Sequence, residues 1–121
     1  MDYVEDNGVS IKVDYIISEE DCLYIAFNVK NEEDFDRIFI KDIEIINQNG
    51  DCIYNKSDIK DGKSINFERK FIDDRNVIMV GEILNYNKDV KEIKISIKNL
   101  FLKNETEEKN KFGNWNIEFN I

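Results

Sequence analysis

The stretch Gly113-Asn114-Trp115-Asn116-Ile117-Glu118-Phe119-Asn120-Ile121 decides the fold. Trp115, Ile117, Phe119 and Ile121 alternate with Asn114, Asn116, Glu118 and Asn120. Successive side chains of a strand point to opposite faces, so this is a strand with one apolar face and one wet face. Such a strand cannot bury its apolar side alone and needs a sheet around it.

Outward from that stretch, the same period recurs. Ile93, Ile95 and Ile97 alternate with polar residues, and Leu100-Phe101-Leu102 continues the run into deeper burial. Val9, Ile11, Val13, Tyr15 and Ile17 form a first strand, with Ile16 on its outer face. Leu23, Ile25, Phe27 and Val29 follow as its hairpin partner. Arg37–Asn47 is Ile-rich, but Ile38 and Ile40 sit on the opposite parity to Ile43 and Ile45, so a bulge or a break falls near Lys41-Asp42. Asn49-Gly50 marks a hairpin to Cys52–Tyr54. Ile65, Phe67 and Phe71 mark another strand. Val77-Ile78-Met79-Val80 is apolar on both parities, which suits a central strand, with a short helix as the alternative. Asn7-Gly8, Asn55–Gly62, Asp73–Asn76 and Asn85–Asp89 read as turns, and Asn104–Lys111 as a charged loop. The expectation is all-β: an antiparallel β-sandwich of seven to eight strands, with Trp115, Phe119, Ile95, Phe27 and Ile11 in its core. Residues 1–121 read as one domain, with 1–7 as a frayed lead-in.

Composition narrows the function. The net charge is −9. The first 60 residues carry 15 acids against 6 bases, and the remainder 11 of each. An acidic chain repels a phosphate backbone, so nucleic acid is not an expected partner. No apolar run approaches a membrane span, so this segment is not expected to insert into a bilayer. The polar, acidic N-terminus is not a signal peptide.

There is no histidine, which removes the usual general base near neutral pH and any Ser-His-Asp triad. Five glycines are scattered singly, with no phosphate-binding loop among them. Carboxylate pairs are inevitable among 26 acids, but they lie in charged turns and offer no cleft for glycoside hydrolysis. No catalytic, cofactor-binding or metal residue is therefore assigned, no cofactor is expected, and the chain does not read as an enzyme. Asp61-Gly62 followed by Glu68 matches half of a calcium loop, but Ser57 and Ile59 stand where the first ligands belong. The acidic clusters Glu19-Glu20-Asp21 and Glu32-Glu33-Asp34-Asp36 are better placed for a cation, although solvated turns explain them as well. Asn55-Lys56-Ser57 and Asn104-Glu105-Thr106 fit the glycosylation acceptor pattern, which arises readily by chance in an Asn-rich chain. Cys22 and Cys52 could form one disulfide or be two small hydrophobes. They fall in different hairpins, so two free thiols are expected.

The order of elements resembles a known family. A strand like Val9–Ile17 leads through an acidic turn into Leu23-Tyr24-Ile25-Ala26-Phe27-Asn28-Val29-Lys30-Asn31. Later come Ile43-Glu44-Ile45-Ile46-Asn47-Gln48-Asn49-Gly50 and the ending Gly113-Asn114-Trp115-Asn116-Ile117-Glu118-Phe119. This resembles the immunoglobulin-like extracytoplasmic domains of unknown function in Gram-positive membrane proteins related to anti-sigma factors, where a Gly-x-Trp-x-Phe type of ending is common. Ile117 departs from the usual aromatic. The resemblance implies an immunoglobulin-like sandwich, extracytoplasmic and non-enzymatic, sensing or binding a protein or cell-envelope ligand as part of a membrane-anchored regulatory protein. It brings no functional residues. If the chain were complete in itself, it would be cytoplasmic. The alternative function is a structural spacer or assembly domain that pairs through a sheet edge.

Overall fold

Asn7 and Gly8 both take positive φ, 49° and 75°, which is the backbone of a two-residue hairpin turn. They join β1 (Val4–Asp6) to β2 (Val9–Glu19), with Asp6 opposite Val9. The expected frayed lead-in is thus a paired strand, because the Asn-Gly turn folds it back onto β2. The computed structural model describes residues 2–19, 22–33, 35, 37–55, 65–73, 76–84 and 90–121, with backbone alone for 65–73 and 84.

Seven strands follow the first two: β3 (Cys22–Asn31), β4 (Arg37–Asn47), β5 (Cys52–Tyr54), β6 (Ile65–Asp73), β7 (Asn76–Leu84), β8 (Glu92–Lys103) and β9 (Glu108–Asn120). They form a five-stranded sheet ordered β1-β2-β3-β7-β6 and a four-stranded sheet ordered β5-β4-β8-β9. Every described pairing is antiparallel. The chain passes between sheets after β3, β5 and β7. In immunoglobulin terms β2, β3, β7 and β6 take the places of A, B, E and D, and β4, β8 and β9 those of C, F and G. The expected all-β sandwich is what forms. Its described strands number nine rather than seven or eight, the addition being β1, a three-residue piece in what the sequence reads as lead-in.

Val77–Val80 lies in β7, between β3 and β6, so the central strand forms and not the helix. The core fills the space between the sheets. Ile11, Phe27, Ile95 and Trp115 are fully or almost fully buried there, while Phe119 is only partly buried at its margin.

Three register shifts steer side chains that simple alternation misplaces. Between Val13 and Tyr15 the β2–β3 register slips, and beyond it the faces exchange. Ile16 packs against the core, while Tyr15 and Ile17 stand outside. A one-residue slip does this because the side-chain period is two. On β4 the expected irregularity is a bulge around Lys41, with the strand continuous through it. On β8 the register with β9 shifts between Ile97 and Asn99, opposite Gly113 and Asn114. The β4 and β8 shifts are at the same level, so one line of disruption crosses β4, β8 and β9.

The Asn49-Gly50 hairpin also forms, but with positive φ at Gly50 alone, +80°. The Gly50 N–H donates to the Asn47 carbonyl at 3.1 Å. Buried Asn47 holds the turn, its Oδ1 accepting from the N–H groups of Asn49 and Asp51 at 3.0 and 2.9 Å.

Candidate functional site

β9 starts at Glu108, not Gly113, so the charged loop expected at Asn104–Lys111 shrinks to a tight turn. The charges are tolerated in a strand because this half of β9 lies at a sheet edge, where polar side chains stay wet. Lys103 pairs with Glu108 across the strands at 3.1 Å. Asn104 Oδ1 closes the turn, accepting from Thr106 N–H, Thr106 Oγ1 and Glu107 N–H at 2.9, 3.0 and 2.8 Å. The Asn104-Glu105-Thr106 triplet therefore has a structural use. Asn55 ends the described segment, and the rest of its triplet lies outside the described residues.

The outer face of the four-stranded sheet is the most distinctive surface. Phe39 and Phe101, cross-strand partners on β4 and β8, lie 6.1 Å apart. Lys41 Nζ sits over both rings, 5.8 and 5.6 Å from their centres. Phe101 is thus on the outside, not in the deeper burial expected of it. Next to this pair, Phe112 on β9 is 67% exposed. Asn110, Asn114, Asn116 and Asn120 share its exposed face of β9. Sequence alternation missed this face. The available signal was an apolar residue on both parities, as in Ile38-Phe39-Ile40 and Leu100-Phe101-Leu102, in a sheet with one wet side.

A polar cavity of about 450 Å³ opens between the β1–β2 turn, the segment after β3 and the start of β9. Glu33 is held there by Lys109 and, at 3.7 Å, by Lys111. Lys109 Nζ also lies 5.3 Å from the Phe35 ring centre. Of the two acidic clusters read as possible cation sites, Glu33 is thereby committed to lysines. Glu20, Asp21, Asp34 and Asp36 lie outside the described residues, as does most of the 57–68 segment. Among the described residues no group of three metal-ligating side chains comes together.

Hydrogen bonding to Lys109, together with the charge of Lys111, holds the Glu33 carboxyl below its ordinary value of 4.5. A carboxyl with a depressed folded pKa adds stability above its unfolded pKa and loses it as pH falls through the folded value. The Glu33 side chain is 44% exposed, so screening keeps the contribution below about 1 kcal/mol. Urea midpoints of the wild type and Glu33→Gln should therefore differ at pH 7 and converge as pH drops below about 4.5. A constant difference down to the acid limit would show that Glu33 acts by something other than its charge.

Cys22 on β3 and Cys52 on β5 belong to different sheets and are both free thiols, as expected. The Tyr24 hydroxyl is pushed up to about 12, first by its hydrogen bond with Cys22 and then by the negative charges of Cys22 and Glu82. No helix of the described residues is long and apolar enough to cross a membrane.

Together the strand order and the apolar core between the two sheets define an immunoglobulin-like β-sandwich. The chain is similar to a crystal structure of a conserved domain protein from Bacillus anthracis, with a TM-score of 0.71 and 16% identity. The match covers 98% of this chain and 39% of that one, so this chain spans well under half the length of its structural relative. No family model and no curated protein matches the sequence.

Proposed function

We propose that this domain is a non-enzymatic binding or sensing module on the outer side of a cell membrane, within a membrane-anchored regulatory protein. The observation that carries the binding part is the outer face of β4, β8 and β9. Phe112 and a row of asparagines are displayed there on rigidly paired strands, and the packing of the core does not require them. The extracytoplasmic, regulatory part is supported by the likeness of Leu23–Asn31, Ile43–Gly50 and Gly113–Phe119 to the anti-sigma-related domains. The ligand is then a protein or a component of the cell envelope.

Protease treatment of intact producing cells, probed with an antibody to this domain, tests the location. Loss of the epitope without lysis is the expected result. An epitope that survives until the cells are broken would overturn it.

One observation favours a second reading, that of an assembly domain. Beyond its pairing with β1, β2 displays Tyr15 and Ile17, 46% and 45% exposed, on one face. Sedimentation analysis separates the two readings, since assembly through this region requires a self-associating species that Tyr15→Lys disperses.

A further inference from the structure

We infer that the exposed face of β9 is a binding strip for a neutral oligosaccharide, a conclusion that rests on the binding-module reading above. Asparagine is disfavoured in strands, yet Asn110, Asn114, Asn116 and Asn120 all occupy the exposed parity of one strand. None of them fills the core. The amides of Asn110, Asn114 and Asn116 are oriented by neighbours. Lys98 Nζ donates to Asn114 Oδ1 at 2.7 Å, and Asn116 Nδ2 donates to the same oxygen at 3.2 Å. Asn99 Nδ2 donates to Asn110 Oδ1 at 3.4 Å. Among the described residues this leaves Asn110 Nδ2, Asn114 Nδ2 and Asn116 Oδ1 without partners, a fixed mixture of uncharged donors and acceptors.

The chemistry selects the occupant. Sugar hydroxyls both donate and accept, which matches paired amide ends better than a ligand of one sign. The C–H face of a sugar ring carries partial positive charge and packs on the negative face of an aromatic ring. Phe112 supplies that ring in the middle of the strip; the Phe101 ring beside it, register partner of Asn110, already has the Lys41 ammonium over it. From Asn110 to Asn116 the exposed face of β9 carries no charge. Lys98 beside it is already bonded, and the flanking acids Glu108 and Glu118 are paired with Lys103 and Lys94. Towards Glu118 the strip runs into a shallow depression of about 280 Å³ walled by Ile46, Ser96 and Asn116 and rimmed by Glu44, Lys94 and Glu118, with room for a further ring. The register shift between β8 and β9 lies at the level of Phe112, as expected where a bulge re-aims a side chain towards a ligand.

The test is a titration of the isotope-labelled domain with cellohexaose, chitohexaose and maltohexaose, followed through its side-chain amide resonances. At least one sugar should give saturable shifts at Asn110, Asn114 and Asn116 in the millimolar range or tighter, unchanged by added salt. Phe112→Ala should weaken that binding about tenfold or more without lowering the melting temperature. The inference is overturned if all three sugars leave these resonances in place. It is equally overturned if the shifts follow protein concentration, which would mean a second copy, or if Phe112→Ala binds as well as the wild type. Failure with every sugar, in cells whose domain is cleaved from outside, would remove this ligand class and leave the binding-module reading standing.

Discussion

Trp115→Ala should lower the unfolding free energy by about 3–5 kcal/mol, the cost of emptying a large aromatic site in a core. The indole is wholly buried. Its Nε1–H also donates to the Val9 carbonyl at 2.9 Å, a buried bond that clasps β9 to β2 across the sandwich. Domains of this size have about 5–15 kcal/mol in total, so the variant should sit at or near the edge of folding. Circular dichroism in urea is the measurement, since the only tryptophan fluorophore is lost. Trp115→Phe isolates the hydrogen bond. It keeps most of the ring but strands the Val9 oxygen, at a cost of about 1–3 kcal/mol. An alanine variant within about 1 kcal/mol of wild type would mean that the indole does not organise the core.

Gly113→Ala should cost about 1–3 kcal/mol by overpacking, although it adds a single methyl group. A Cβ at residue 113 would lie 2.5 Å from Trp115 Cη2, 2.8 Å from Cζ3 and 2.9 Å from Cζ2. The ring is buried and has nowhere to swing, so the strand must shift instead. The Gly-x-Trp pair is thus one packing unit, in which glycine supplies the space that the indole fills. A double-mutant cycle checks this. In a Trp115→Leu background the alanine at 113 should cost almost nothing, and additive losses would sink the idea.

The sandwich was legible because isoleucine, valine and phenylalanine recur at period two, the period of a strand with two unlike faces. The bulge near Lys41 was legible because isoleucines flank it on both sides, so the change of parity is visible in sequence. The slip at Asp14 was not, since Tyr15, Ile16 and Ile17 are apolar on either parity and composition cannot say which face each takes. The start of β9 was obscured by Glu108, Lys109 and Lys111. Their charges read as loop, but two of them serve as partners for Glu33. The aromatic and amide face was hidden for a related reason. Phe101 between two leucines looks like burial until the sheet's two sides are assigned, and that assignment depends on which strands pair.

β1 does more than extend a sheet. Asn7 Nδ2 donates to the Phe112 carbonyl at 2.9 Å, and the Asn114 N–H donates to Asp6 Oδ2 at 2.7 Å. With the Trp115–Val9 bond, contacts separated by 105 to 108 residues tie the first strands to the last. Loop-closure entropy must be overcome before contacts this distant form, which places the domain among slow, high-contact-order folders. During synthesis the chain emerges from its beginning, so β1 and β2 cannot make these three contacts until β9 has left the ribosome. Until then β8 has a bare edge, and the isoleucines Ile93, Ile95 and Ile97 lack the cover that Trp115 and Ile117 provide. The newborn domain is thus most vulnerable to aggregation in the interval just before β9 docks.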